Sequence, residues 1–157
     1  MEKLRSDGYL VSDDRERIDI VRVHRWLSEE SYWAPGISNE TVSRSIQGAI
    51  TLGCFEPDGV QVGVARLVTD GATFGWLTDV FVDVGSRGRG LGQFLVDFAM
   101  EYSAAYGLQR ILLATTDAQD FYRRFGFSTL PTPERWMELH PRPTSSDTPA
   151  RGETPSI

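Results

Sequence analysis

The sequence predicts a mixed α/β (α+β) domain whose central sheet is mostly antiparallel and flanked by helices. Three observations carry that expectation. A meander of apolar runs separated by tight turns fills roughly residues 49–84. A long helical stripe follows it directly, and a second strand and helix pair follows the stripe. At 157 residues with 40% hydrophobic and 24% charged side chains, the chain has the size and composition of one globular domain.

In chain order, Gly8-Tyr9-Leu10-Val11-Ser12 is the first expected strand. From Arg15 to Leu27, apolar residues recur at helical spacing through Ile18, Ile20, Val21, Val23 and Leu27. Pro35 and Gly36 break this pattern, and Asn39 is expected to cap a second helix that runs to about Gln47. Pro57-Asp58-Gly59 and Asp70-Gly71-Ala72 supply the turns of a three-stranded meander. Leu91, Phe94, Leu95, Phe98 and Tyr102 then form one helical face, which Gly107 terminates. Ile111 to Ala114 is a short strand, Asp117 is the expected cap of a fourth helix, and 135–139 is the expected final strand. Residues 1–140 are expected to form the domain. From Pro141 to Ile157, Pro, Ser, Thr, Asp and Gly dominate, and a disordered tail is expected.

Composition excludes several function classes. The net charge of -6 argues against a general nucleic-acid binder, and no run of about 18 apolar residues exists to span a membrane. With no apolar signal core behind Met1, the default expectation is a cytoplasmic protein. The lone Cys54 forms no internal disulfide and reads as a small core residue. His24 and His140 do not combine with it into a metal site of the usual type, so no metal is expected. The Gly-x-Ser-x-Gly elbow of simple hydrolases is missing.

Chemistry concentrates in the stretch from Leu77 to Leu95. There an apolar strand runs into Arg87-Gly88-Arg89-Gly90-Leu91-Gly92-Gln93 and then into a helix. Glycines at alternate positions let a ligand approach the backbone, while the first helical amides and the helix dipole attract an anion. A dinucleotide fingerprint would place glycine at Gln93, and a phosphate-binding loop of the Walker type would end in Gly-Lys-Ser/Thr. Neither pattern fits. Arg87 with Gly90 and Gly92 instead resembles the acyl-CoA pyrophosphate loop of the GCN5-related N-acetyltransferase (GNAT) family. A second segment supports the resemblance. Ala118, Phe121, Tyr122, Gly126 and Phe127 follow the Leu112-Leu113-Ala114 strand in the order that family shows, with Thr115 where an asparagine is frequent.

The resemblance implies a sheet of about six to seven strands with about four helices. It also implies acetyl-CoA as cosubstrate and transfer of the acetyl group to a primary amine by direct attack. Arg87 to Gln93 would bind the pyrophosphate, Phe81 and Val82 would offer backbone groups to the pantetheine arm and the oxyanion, and Thr115, Ala118 and Phe121 would line the arm. Tyr122 matches the family's general acid; a phenol with an ordinary pKa near ~10 is protonated at neutral pH and can donate to the leaving sulfur.

The base stays open between Asp79, the Glu29-Glu30 pair and a water relay, and Asp83 alternates onto the same nominal face as Asp79. Tyr32 and Trp33, with Glu29 nearby, are the candidate acceptor-binding residues; Phe74 and Trp76 are aromatic alternatives explained equally by packing. A small-molecule amine is the expected acceptor. A protein N-terminus or lysine, or a CoA-binding module without turnover, are the alternatives, and a homodimer is compatible with the sequence.

Overall fold

Six strands hydrogen-bond in the order in which the chain visits them. This is a computed structural model that describes residues 1–140; the tail expected to be disordered lies outside the described residues. β1 (Glu2–Leu4), β2 (Leu10–Ser12), β3 (Ile50–Phe55), β4 (Gln61–Thr69) and β5 (Phe74–Val82) pair antiparallel, and β6 (Arg110–Leu112) pairs parallel to β5. The chain forms two compact units. Met1–Gly126 contains the whole sheet, and within the described part of the second unit the regular structure is one 3-10 turn, Pro133–Arg135.

The helices are α1 (Ile20–Arg25), α2 (Asn39–Gln47), α3 (Leu91–Ala105) and α4 (Gln119–Arg123). Asp19 caps α1 through the Arg22 amide, and Ser38 caps α2 through the Thr41 amide at 3.2 Å. Asn39 is therefore the first helical residue rather than the cap. The expected helix from Arg15 to Leu27 is divided into a 3-10 turn at Arg15–Arg17, α1, and a π turn at Trp26–Glu30. The π turn buries Trp26 and Leu27 completely enough to close one face of the sheet, packed with Val23, Val42, Ile46, Phe55, Val64 and Phe81. On the opposite face α3 packs across β2 to β5, with Leu91, Leu95 and Phe98 buried. Cys54 is buried, and burial pushes its thiol up to about 12, so it is a core group with no reactive thiolate at neutral pH.

Two expectations at the chain ends differ. β1 is an extra edge strand whose Glu-Lys-Leu sequence carries no apolar alternation, so pairing with β2 rather than pattern creates it. Residues 135–139 form no strand: Pro133 starts the 3-10 turn, and no ladder pairs this segment among the described residues. Nor does any described helix have the length and apolar character to cross a membrane.

The β4–β5 turn is held by Asp70, whose carboxylate accepts from the Thr73 hydroxyl at 2.6 Å and from the amides of Ala72, Thr73 and Phe74 at 2.8–3.1 Å. The Thr73 hydroxyl, then those amides, hold the Asp70 carboxyl well below the usual carboxylate range. A depressed folded-state pKa contributes stability that is present above the unfolded value of about 4 and is lost as pH falls through the folded value. Asp70→Ala is expected to lower Tm, with the gap from the native protein widest at neutral pH and narrowing below about pH 4, as read by thermal unfolding across that range.

Candidate active site

β5 is longer than its neighbour on one side. Its parallel ladder with β6 pairs Phe74 with Arg110, Gly75 with Ile111 and Trp76 with Leu112, then stops, while β5 continues to Val82. Past that point the two backbones diverge, and the opening becomes a cavity of about 290 Å³. Trp76 to Val80 form one wall, Ala114 to Ala118 with Tyr122 form the other, and Tyr32 and Trp33 complete the lining.

A β-bulge shapes the first wall. Val64 pairs with Phe81 and Arg66 with Thr78, so Asp79 and Val80 together oppose the single residue Ala65. Asp79 takes the left-handed conformation there, φ 51°, which aspartate tolerates better than most residues. Its buried carboxylate accepts from Arg66 Nε at 2.6 Å and from the Trp33 indole at 3.0 Å. Arg66 also donates to the carbonyl of Ser45 in α2 at 3.0 Å. Asp79 thus lines the cavity as half of an ion pair, with both oxygens engaged.

The second wall is set by Thr115, whose hydroxyl accepts from the Ala118 amide at 3.1 Å. That bond turns the chain into α4, whose N-terminal residue has no side-chain cap of its own; Asp117 does not serve as one. Asp117 instead lies against Tyr32, whose hydroxyl donates to Asp117 Oδ1 at 3.4 Å and accepts from the Thr116 amide at 3.2 Å. Burial, then the nearby Tyr32 and Asp117, push the Tyr122 phenol up to about 12. The phenol is therefore protonated throughout the neutral range.

A second cavity, of about 280 Å³, adjoins the glycine loop. Val82, Arg87, Gly88, Gly90 to Gln93, Phe121 and Arg124 line it. Gly88 and Gly90 have φ 78° and 72°, conformations that a side chain would strain. The first helical hydrogen bond of α3 runs from Phe94 to Gly90 at 3.0 Å, so the Leu91, Gly92 and Gln93 amides precede the intrahelical ladder. A β-carbon on Gly92 would sit 3.7 Å from Phe121 and 3.8 Å from Val82, which defines how narrow the passage is. Alternate glycines, these amides and the Arg87 and Arg124 guanidiniums suit a pyrophosphate.

The expected residues divide between the cavities. Tyr122, Asp79, Thr115, Ala118, Tyr32 and Trp33 meet at the first; Val82, Arg87, Gly88, Gly90, Leu91, Gly92, Gln93 and Phe121 meet at the second. Three expected residues lie elsewhere. Glu29 is exposed on the π turn, outside both linings, because the buried face of that turn is taken by Trp26 and Leu27. Phe81 turns its ring into the core, stacked on Trp26 at 5.5 Å. Arg89 turns back to the Tyr9 hydroxyl at 2.7 Å and toward Glu56. Arg124 stands in the lining in its place, and Trp76 is the added aromatic of the first cavity. Asp83 is a structural carboxylate that accepts from the Trp26 indole at 3.0 Å and the Gly85 amide at 3.0 Å.

A family model described as the Acetyltransferase (GNAT) family matches residues 20–127, which span the walls of both cavities. This chain belongs to the GNAT acetyltransferase family. It is an acetyl-CoA-dependent acetyltransferase. A crystal structure of a GNAT-family candidate acetyltransferase from Xanthomonas campestris pv. campestris is 38% identical, covers 92% of this chain and 100% of its own, and superposes with a TM-score of 0.81. A candidate acetyltransferase of Gibberella zeae is 28% identical over 133 residues, covering 73% of this chain and 75% of that protein. Glucosamine 6-phosphate N-acetyltransferase of Trypanosoma brucei brucei is 33% identical over 93 residues, covering 55% of this chain and 61% of that enzyme. Among the described residues no group of three or more His, Cys, Asp and Glu is placed to hold a metal ion.

Arg5 braces the glycine loop from outside both cavities, and no motif marks it. From the β1–β2 turn it donates to the Arg89 carbonyl at 3.0 Å, and its guanidinium lies over the Tyr9 and Phe94 rings at 5.0 and 5.5 Å. Asp7 orients it at 2.7 Å. Arg5→Ala is expected to weaken acetyl-CoA binding about tenfold, the scale of one charge-assisted hydrogen bond, measured by isothermal titration calorimetry. Arg66→Met leaves a buried aspartate without its cation and is expected to cost about 3–5 kcal/mol in urea unfolding.

Proposed function

We propose that the protein transfers the acetyl group from acetyl-CoA to a primary amine of a small molecule by direct attack, with Tyr122 as general acid. One observation carries this reading: the half-buried phenol of Tyr122 stands in a cavity that opens where β5 leaves β6, next in line after the glycine-loop cavity. Ala118 and Tyr122 in the first cavity and Phe121 in the second are neighbours on one turn at α4. Cosubstrate laid along that turn with its pyrophosphate at Arg87–Gln93 and Arg124 would bring its thioester beside Val80 and Tyr122. The α4 turn and the end of β5 then hold the arm, while the amides at the start of α3 hold its charged end.

The reaction requires a neutral amine, a carbonyl held against it and a proton for the departing thiolate. Tyr122 supplies that proton, since burial keeps its phenol protonated until well above neutral pH. The bulge carries the Asp79–Val80 peptide to the cavity wall, where a backbone donor would face the developing oxyanion. Asp79 is paired with Arg66, so it serves best as a fixed charge that orients Trp33, and proton removal from the amine passes to solvent through water. The glucosamine 6-phosphate enzyme among the relatives supports the coarse acceptor class, a small amine.

Thiol release from acetyl-CoA with a panel of amines tests the proposal. Tyr122→Phe is expected to lower kcat about a hundredfold while leaving KM for acetyl-CoA within about twofold. With the phenol near 12, the native rate is expected to show no alkaline decline attributable to Tyr122 below about pH 11. Full turnover by Tyr122→Phe would remove the tyrosine from its role.

A further inference from the structure

We infer that the acceptor is a compact amine carrying a second positive charge and no anionic group, bound with that second charge between the Tyr32–Trp33–Trp76 aromatics and the Asp117 carboxylate. The inference rests on the proposed amine acetylation and adds the acceptor's chemistry.

Among the described residues, the lining of the first cavity holds no lysine and no arginine. Its two carboxylates differ in what they have to offer. Asp79 faces the Arg66 guanidinium at 2.6 Å and the Trp33 indole, so its charge is already answered. Asp117 forms no ion pair among the described residues, and its partner is the neutral Tyr32 hydroxyl at a long 3.4 Å. Its charge is felt in the cavity, since it helps to raise the Tyr122 phenol. An uncompensated carboxylate at the mouth repels a phosphate or carboxylate substituent and attracts an ammonium.

The aromatic groups point to the same ligand. Tyr32, Trp33 and Trp76 are 55%, 41% and 36% exposed, large fractions for rings lining a cavity. Tyr32 and Trp33 meet edge to face with centroids 5.0 Å apart, which holds the two rings against each other. Ring faces next to a carboxylate are a setting for cation–π attraction, which strengthens as water is excluded. A volume of about 290 Å³ lies at the low end of small-ligand sites, roughly 300–1,000 Å³, so the acceptor is short. A sugar phosphate of the kind named for the Trypanosoma brucei brucei relative would place its anion where no cation waits among the described residues.

The test uses the full chain, acetyl-CoA and three acceptors: 1,4-diaminobutane, 1-aminobutane and glucosamine 6-phosphate. Thiol release is followed, and acetyl-CoA binding is first shown by thermal shift. The expected result is a kcat/KM for the diamine at least tenfold above that for the monoamine and for the sugar phosphate. Asp117→Asn is expected to reduce the diamine-to-monoamine ratio about tenfold through KM, with Asp117→Glu restoring most of it. Equal use of diamine and monoamine, preference for the sugar phosphate, or a ratio unmoved by Asp117→Asn overturns the acceptor inference and leaves amine acetylation standing. Acetyl-CoA binding without thiol release from any of the three overturns both.

Discussion

The two-against-one bulge that sets Asp79 and Val80 opposite Ala65 reverses the parity of β5, and the site depends on that reversal. Side chains in a strand alternate, so one extra residue moves everything beyond it to the other face. Before the bulge, Trp76 and Thr78 share a face with their partners Val68 and Arg66; beyond it, Phe81 shares that same face with Val64. Phe81 can therefore stack on Trp26 under the first helices, while Val82 turns toward Gly92 and the glycine loop. A regular strand would exchange the two. Arg66 holds the bulge by pairing with Asp79, and its second bond to the Ser45 carbonyl ties that arrangement to α2.

From this kink the two cavities follow in order. The glycine loop can begin at the end of β5 because Arg87 folds back to the Val82 carbonyl at 3.0 Å and lies over the Phe81 ring. Next to it, β6 ends early, and the chain beyond it turns at Thr115 into α4 rather than continuing along β5. The sheet is thus continuous where the core needs it and open where a ligand would need backbone contacts. Few charged side chains take part, and those that do are mostly engaged in holding the backbone.

The sequence made the local parts legible and left the long-range ones hidden. The glycine loop, the α3 stripe and the Ala118–Phe127 segment are read from neighbours in the chain, and each is found where expected. Asp79 illustrates the limit: its spacing from Val80 and Val82 places it on an alternating strand, while its conformation comes from Arg66, thirteen residues away, and from Trp33, forty-six away. Arg5 acts on Arg89 across eighty-four residues, and nothing near it in sequence signals that contact. The 135–139 segment shows the opposite failure, an apolar run that no strand pairs among the described residues. Arg123 and Arg124 are alike as letters, yet one pairs with Asp120 and the other lines the cavity; the direction of the α4 turn decides which.

The Ser31–Gly36 loop has a consequence for how two ligands would communicate. Trp33 fastens it to the bulge, and Tyr32 fastens it to the Thr116 amide on the opposite wall. The same peptide stretch, Thr115 to Ala118, borders the space for the cosubstrate's arm. A single loop would therefore be shared mechanically by both binding events, and whichever ligand ordered it first would spare the other part of the entropic cost. Such sharing is reciprocal by thermodynamic necessity, so the affinity each ligand gains from the other is the same factor. Two side chains, an indole and a phenol, carry that coupling because they touch opposite walls.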